Sequence, residues 1–170
     1  MARLFFAVWP EAASAQRLAA LGVRLGEESG GKAVPVERIH LTLAFLGALD
    51  AEARTRAVKC ALAIRAAPFE IAIDRAGSFR RARVAWAGTS IPPASLLDLQ
   101  RELADRLKDA GIWLEDRPFA PHATLVRKTK RALPESRTET IRWAVEAFTL
   151  VRTETGTGRY EVEERWGLGD

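Results

Sequence analysis

The chemistry open to this sequence rests on two residues. It contains only two histidines, His40 and His122, and each begins the same four-residue pattern: His40-Leu41-Thr42-Leu43 and His122-Ala123-Thr124-Leu125. With 11 threonines and 19 leucines among 170 residues, both histidines would do so by chance with a probability of roughly 5 in 100,000, so coincidence is a poor explanation. A histidine in a strand is ordinarily structural, and it is the repetition that promotes these two. Imidazole titrates near neutrality, so a pair can hold one neutral base and one protonated acid at the same pH. Cleavage of a phosphodiester by water needs both roles: one group takes the proton of the attacking water, the other gives a proton to the departing sugar oxygen. The threonines add hydroxyls that can donate to a phosphate oxygen without adding charge.

These side chains need elements that aim them at one point. Ile39 to Leu46 is apolar and β-prone, and Ala123 to Val126 follows Pro121, so both segments are read as strands. Side chains alternate along a strand. His40, Thr42 and Ala44 should then share one face, with Leu41, Leu43 and Phe45 packing into a core. His122 and Thr124 pair in the same way, and two such strands can face each other across a cleft suited to a phosphate. Arg127 has the opposite parity to His122 and Thr124, so an ideal strand points it away from that cleft. A bulge, a twist at the strand end or a long reach would be needed to return its guanidinium.

Composition narrows the alternatives. At 170 residues and 18.7 kDa, with 48% apolar residues, the chain is long enough for a sizeable core and is expected to form one domain, residues 1–170, or one domain with two lobes. Its net charge of +4 allows an anionic ligand but does not suggest a broad nucleic-acid-binding surface. The lone Cys60 cannot form an internal disulfide, and the apolar run before Pro10 is too short for a signal peptide or a membrane span. A cytoplasmic protein with no membrane association is expected. No Gly-x-x-x-x-Gly-Lys-Ser/Thr loop, Cys-x-x-Cys pair or His-Glu-x-x-His motif is present, and no clustered carboxylates accompany the histidines. A pair of acid and base without metal or cofactor is the simpler account.

Along the chain, Arg3 to Trp9 reads as a buried strand and Pro10-Glu11 as the opening of a helix through Leu18, Leu21 and Leu25. Asp50 suits the N-cap of a second helix reaching about Ala67, stopped by Pro68. Glu70 to Ala76 and Arg83 to Ala87 read as strands joined around Gly77 and Ser78. Pro92 and Pro93 open a third helix with Leu96, Leu99, Leu103 and Leu107 at helical spacing, ending at Gly111. Lys128, Lys130 and Arg131 form a basic cluster after the second motif, read as a solvated loop. Phe148 to Glu154 and Arg159 to Trp166 read as a terminal hairpin. The motifs lie 82 positions apart, close to half the chain, which suggests a duplicated half. No apolar stripe is left over for a partner subunit, and a monomer is expected.

At this point the sequence resembles the 2H phosphoesterase superfamily, named for two His-x-Thr motifs, and within it the RNA 2′,3′-cyclic phosphodiesterase family, also called 2′-5′ RNA ligases. The resemblance covers nearly the whole chain: Arg3 to Val8 (Arg-Leu-Phe-Phe-Ala-Val), His40 to Gly47, Arg117 to Arg127 (Arg-Pro-Phe-Ala-Pro-His-Ala-Thr-Leu-Val-Arg), and a tail with Phe148-Thr149-Leu150, Gly158-Arg159-Tyr160 and Trp166. It implies a bilobal α+β fold, two antiparallel sheets with flanking helices around a central cleft and pseudo-duplicated halves. It also implies a metal-independent, cofactor-free reaction, in which water opens a terminal 2′,3′-cyclic phosphate on RNA to leave a 2′-phosphate. Carried over by motif position, His40 is the proton donor, His122 the proton acceptor, and Thr42, Thr124 and Arg127 bind the phosphate. Thr153 stands where the family pattern leads one to expect serine. Joining ends through a 2′-5′ bond is the same chemistry reversed, which mass action in water ranks second. A non-catalytic binder of cyclic phosphate ends would need no acid and base.

Overall fold

The structure, a computed structural model, describes residues 2–169; Met1 and Asp170, the ends of the span expected to form one domain, lie outside the described residues. In chain order the elements are β1 (Ala2–Val8), α1 (Ala12–Ser29), β2 (Lys32–Ala33), β3 (Leu41–Gly47), α2 (Ala51–Leu62), β4 (Phe69–Phe79), β5 (Val84–Gly88), α3 (Ala94–Asp109), β6 (His122–Arg127), β7 (Ser136–Val145), β8 (Ala147–Glu154) and β9 (Tyr160–Gly167). A single 3-10 turn, Val36–Arg38, precedes His40. The class is α+β, and every strand pairing among the described residues is antiparallel.

The strands run in the order β7-β4-β5-β6-β3-β1-β8-β9, with β2 added beside β6. The two sheets expected from the sequence are therefore two groups of four joined into one path. The joint is a single residue pair, Leu41 opposite Ala123 between β3 and β6. A repeat offset of 82 is visible in the architecture too: α1 begins at Ala12 and α3 at Ala94, the same separation as His40 and His122. The repeats are interleaved. Strand β4 of the first half lies against β5 of the second, and β8 of the second lies against β1 of the first.

Helices α1, α2 and α3 pack on one face of this sheet. Leu18, Leu21 and Leu25 of α1 and Leu96, Leu99, Leu103 and Leu107 of α3 are all buried in one core with Leu41, Leu43, Ala123 and Leu125. At Gly22 an added Cβ would stand 3.1 Å from the Leu125 carbonyl oxygen, so the absent side chain lets α1 press directly against β6. Asp50 caps α2 as expected, its Oδ1 accepting from the Ala53 amide at 2.8 Å.

Three expectations need correction. Helix α2 stops at Leu62 rather than about Ala67, because Ile64 drops into the core and the Arg65 guanidinium, donating to the carbonyls of Leu62 and Ile64, closes the helix end. The β4–β5 turn lies at residues 80–83 and not at Gly77 and Ser78. Gly77 is inside β4, where a Cβ would sit 2.7 Å from the Trp86 ring, so this glycine serves close packing rather than turning. Strand β7 has no counterpart in the sequence reading.

Candidate active site

His40 stands one residue before β3, and His122 is the first residue of β6. The Leu41–Ala123 pair that joins the two groups of strands therefore brings the histidines together. Both residues of that pair are fully buried on the helix side, so alternation turns residues 40, 42, 122 and 124 to the other face. There His40, Thr42, His122 and Thr124 are all partly exposed. Continuing the register sets His40 across from Thr124 and His122 across from Thr42. The floor beside them is a separate small apolar cluster of Phe5, Ala7 and Val151, with Trp9 and Tyr160 packed on it.

Beyond the threonines, strict alternation fails in both strands at the same place. Phe6 pairs with Ala44 and Ala7 with Thr42, leaving Leu43 as an extra residue; Ala85 pairs with Val126 and Trp86 with Thr124, leaving Leu125 as an extra residue. These are β-bulges, again one repeat apart. Each bulged carbonyl finds a partner outside the main ladder: Leu43 accepts from Gln100 Nε2 at 3.3 Å, Leu125 from the Val34 amide at 2.8 Å. The bulges exchange faces downstream. Ala44, expected in the cleft, is buried, while Phe45, expected in the core, is 51% exposed. In the second strand the same step places Val126 in the core and carries Arg127 round to the side of Thr124 and Trp86. Arg127 and Phe45 thus occupy equivalent positions in the two repeats.

Both imidazoles are held in the same manner. His40 Nδ1 lies 2.7 Å from the Arg38 carbonyl oxygen and His122 Nδ1 lies 2.7 Å from that of Ala120. A carbonyl only accepts, so Nδ1 carries the hydrogen in each ring and Nε2 is left for proton transfer. Their surroundings differ. His40 is ringed by Phe5, Trp9 and Tyr160, with centroid distances of 5.0, 5.1 and 5.4 Å. Trp9 is fixed by donating to Thr149 Oγ1 at 2.8 Å, and Arg38 ties the β8–β9 turn to this wall by donating to the Gly158 carbonyl at 2.9 Å. Burial in this cage lowers the pKa of His40 from 6.5 to about 4; the bond to the Arg38 carbonyl opposes the shift, and the charges of Arg127 and His122 add to it. His122 meets Phe79 edge-on at 5.1 Å.

The five residues singled out by sequence, His40, His122, Thr42, Thr124 and Arg127, therefore meet on one face. Neither threonine hydroxyl is committed to a partner among the described residues. The aromatic cage lies outside the two motifs, and the alternation Phe5-Ala7-Trp9 along β1 is the sequence signal for most of it. Among the described residues no group of three or more His, Cys, Asp or Glu is arranged to hold a metal ion.

The chain is similar to known proteins in sequence and in fold. The profile of the 2′-5′ RNA ligase superfamily matches residues 7–157. The RNA 2′,3′-cyclic phosphodiesterase of Escherichia coli K12 is 34% identical, over 98% of this chain and 96% of that protein. The crystal structure of E. coli LigT complexed with 3′-AMP superposes with a TM-score of 0.90 at 33% identity, covering 99% of this chain and 98% of that one. A crystal structure described as a phosphoesterase superposes with the same score at 32% identity, covering all of both chains.

Proposed function

The chain belongs to the 2′-5′ RNA ligase superfamily, within the 2H phosphoesterases, and from that membership and the paired imidazoles we infer that it hydrolyses a terminal 2′,3′-cyclic phosphodiester on RNA to a 2′-phosphomonoester. The observation that carries this reading is the matched hold on both rings, each Nδ1 committed to a carbonyl and each Nε2 left free on one face. Water attacks phosphorus as His122 Nε2 takes its proton. The bond from phosphorus to O3′ breaks as His40 Nε2 gives a proton to that oxygen. Thr42 and Thr124 donate to the non-bridging oxygens, and Arg127 offsets the charge gathering on them.

The donor role places a requirement on His40. With a pKa of about 4 it is neutral near pH 7. An anionic phosphodiester seated against the ring opposes the repulsion from Arg127 and stabilises the protonated form, so substrate binding loads the acid. The working unit in this proposal is a monomer, one domain of two lobes, acting in the cytoplasm without metal or cofactor. No helix among the described residues is long and apolar enough to cross a membrane.

The test is hydrolysis of an oligonucleotide ending in a 2′,3′-cyclic phosphate, in EDTA. Wild type should release a 2′-phosphate end, and His40→Ala and His122→Ala should each lose about 10²–10⁴ in rate. A wild-type protein that binds the cyclic end and leaves it intact would overturn the enzyme reading.

A further inference from the structure

The two repeats build equivalent walls on either side of the cleft, and their charges are not equivalent. After β3 the chain continues as Ala48-Leu49-Asp50, and the β8–β9 turn, residues 155–159, holds one cation, Arg159. The corresponding segments of the other wall are the β4–β5 turn, with Arg80, Arg81 and Arg83, and the segment after β6, with Lys128, Lys130 and Arg131. None of these six side chains pairs with a carboxylate among the described residues.

Two of the six act as anchors. Arg83 Nε donates to the Thr129 carbonyl at 3.0 Å, with the Thr129 amide returning a bond to the Arg83 carbonyl at 3.1 Å. Arg131 Nε donates to the Glu28 carbonyl at 3.0 Å at the end of α1, while the amides of Lys130 and Arg131 both reach the Ser29 carbonyl. Arg83 and Lys128 are the only non-glycine described residues with positive φ, 55° and 58°, a backbone state kept only where surrounding bonds impose it. The turn and the loop are thus locked to each other and to α1. That changes the reading of the basic cluster from a solvated loop to a fixed rim. Arg80, Arg81 and Lys128 project from it, their side chains making no hydrogen bond or ion pair among the described residues, while the Lys130 stem lies along Gly30 at the end of α1.

The rim is continuous with the catalytic face. The arginine turn starts one residue after Phe79, whose ring touches His122, and Lys128 follows Arg127, whose charge is felt by His40. From Thr124 to Lys128 the strand rise spans on the order of 10–13 Å, the reach of the next phosphates of a chain whose end lies between the histidines.

We propose that this rim is a subsite for the RNA strand upstream of the cyclic end, so that the substrate leaves the cleft over the β4–β5 and post-β6 wall and not over the β8–β9 wall. The proposal rests on the RNA-end hydrolase reading above. It makes the protein discriminate by length: contacts with phosphates beyond the terminal one favour an oligonucleotide over a cyclic mononucleotide, in a salt-dependent manner.

The experiment measures kcat/KM on a 2′,3′-cyclic mononucleotide and on a six-nucleotide RNA ending in the same cyclic phosphate, for wild type, Arg80→Ala/Arg81→Ala/Lys128→Asn and Arg159→Ala. All three rim residues are exposed, and a thermal melt verifies folding. For wild type the oligonucleotide should be the better substrate by about tenfold or more. The triple variant should lose at least that factor on the oligonucleotide relative to the mononucleotide, with a shallower dependence of log KM on log salt, roughly 0.7 per lost phosphate contact. Arg159→Ala should not change the ratio. Equal use of the two substrates by wild type, or an unchanged ratio in the triple variant, overturns the rim while leaving the hydrolase reading intact. Absence of turnover on both substrates overturns the hydrolase reading itself.

Discussion

His40 and His122 share a motif and a mode of support, yet one ring sits in an aromatic cage and the other meets one ring edge-on. The difference can be measured through proton linkage. The folded-state pKa of His40 lies below its unfolded value, so the unfolded chain binds more protons between about pH 4 and 6.5. The stability associated with the neutral ring is fully present above 6.5 and falls as pH drops through that window. Between pH 6.5 and 4.5 wild type should lose roughly 2–3 kcal/mol more than His40→Gln, read from urea unfolding at both pH values. The same linkage predicts net proton uptake when sulfate, which does not titrate in this range, binds at pH 6; calorimetry in two buffers of different ionisation heat should detect it, and His40→Gln should reduce it. Arg127→Met removes one cause of the depression. The His40 titration followed by NMR should move up from about 4, with burial still holding it below the ordinary value, while anion affinity weakens.

Much of the element plan was legible in the sequence, and the failures have identifiable causes. The leucine spacing of α3, the Asp50 cap, both motif strands and the terminal hairpin follow from local pattern alone. Strand β7 escaped because its first half, Ser136-Arg137-Thr138-Glu139-Thr140, is polar, and alternation begins only with Ile141, Trp143 and Val145, all buried. The end of α2 is hidden because alanine-rich sequence continues to favour helix after the tertiary path has turned to seat Ile64. Most consequential were the two bulges, which no residue type announced: parity was right up to Thr42 and Thr124 and inverted after them. The first bulge depends on Gln100 and the second on the seating of β2 beside β6. At Gly31 an added Cβ would lie 2.6 Å from Val126 Cγ1 and 2.7 Å from the Arg127 carbonyl oxygen. Gly31→Ala should therefore displace the end of β6, cost about 1–3 kcal/mol of stability and reduce activity by misplacing Arg127. Asp50→Ala, remote from the cleft, should cost about 1 kcal/mol, with activity retained in the folded fraction.

At the scale of the whole molecule, each repeat completes its sheet with a strand from the other: β8 supports β1, and β4 supports β5. Cutting the chain within residues 80–83 should yield fragments that do not fold separately but restore activity when co-expressed, as monitored by cyclic-phosphate hydrolysis. The interleaving also bears on the origin of two unlike histidines. A chain of half this length, pairing with a copy of itself about the axis through the Leu41–Ala123 bridge, would enclose the same cleft with two identical His–Thr pairs. Symmetry would then bind it to one environment for both rings, with no reason for one to be acid and the other base. Fusing the copies into one polypeptide releases that constraint, so that Arg127 and Phe45 can differ at equivalent positions and one imidazole can be caged while its twin stays open. Covalent continuity here is what permits a division of labour.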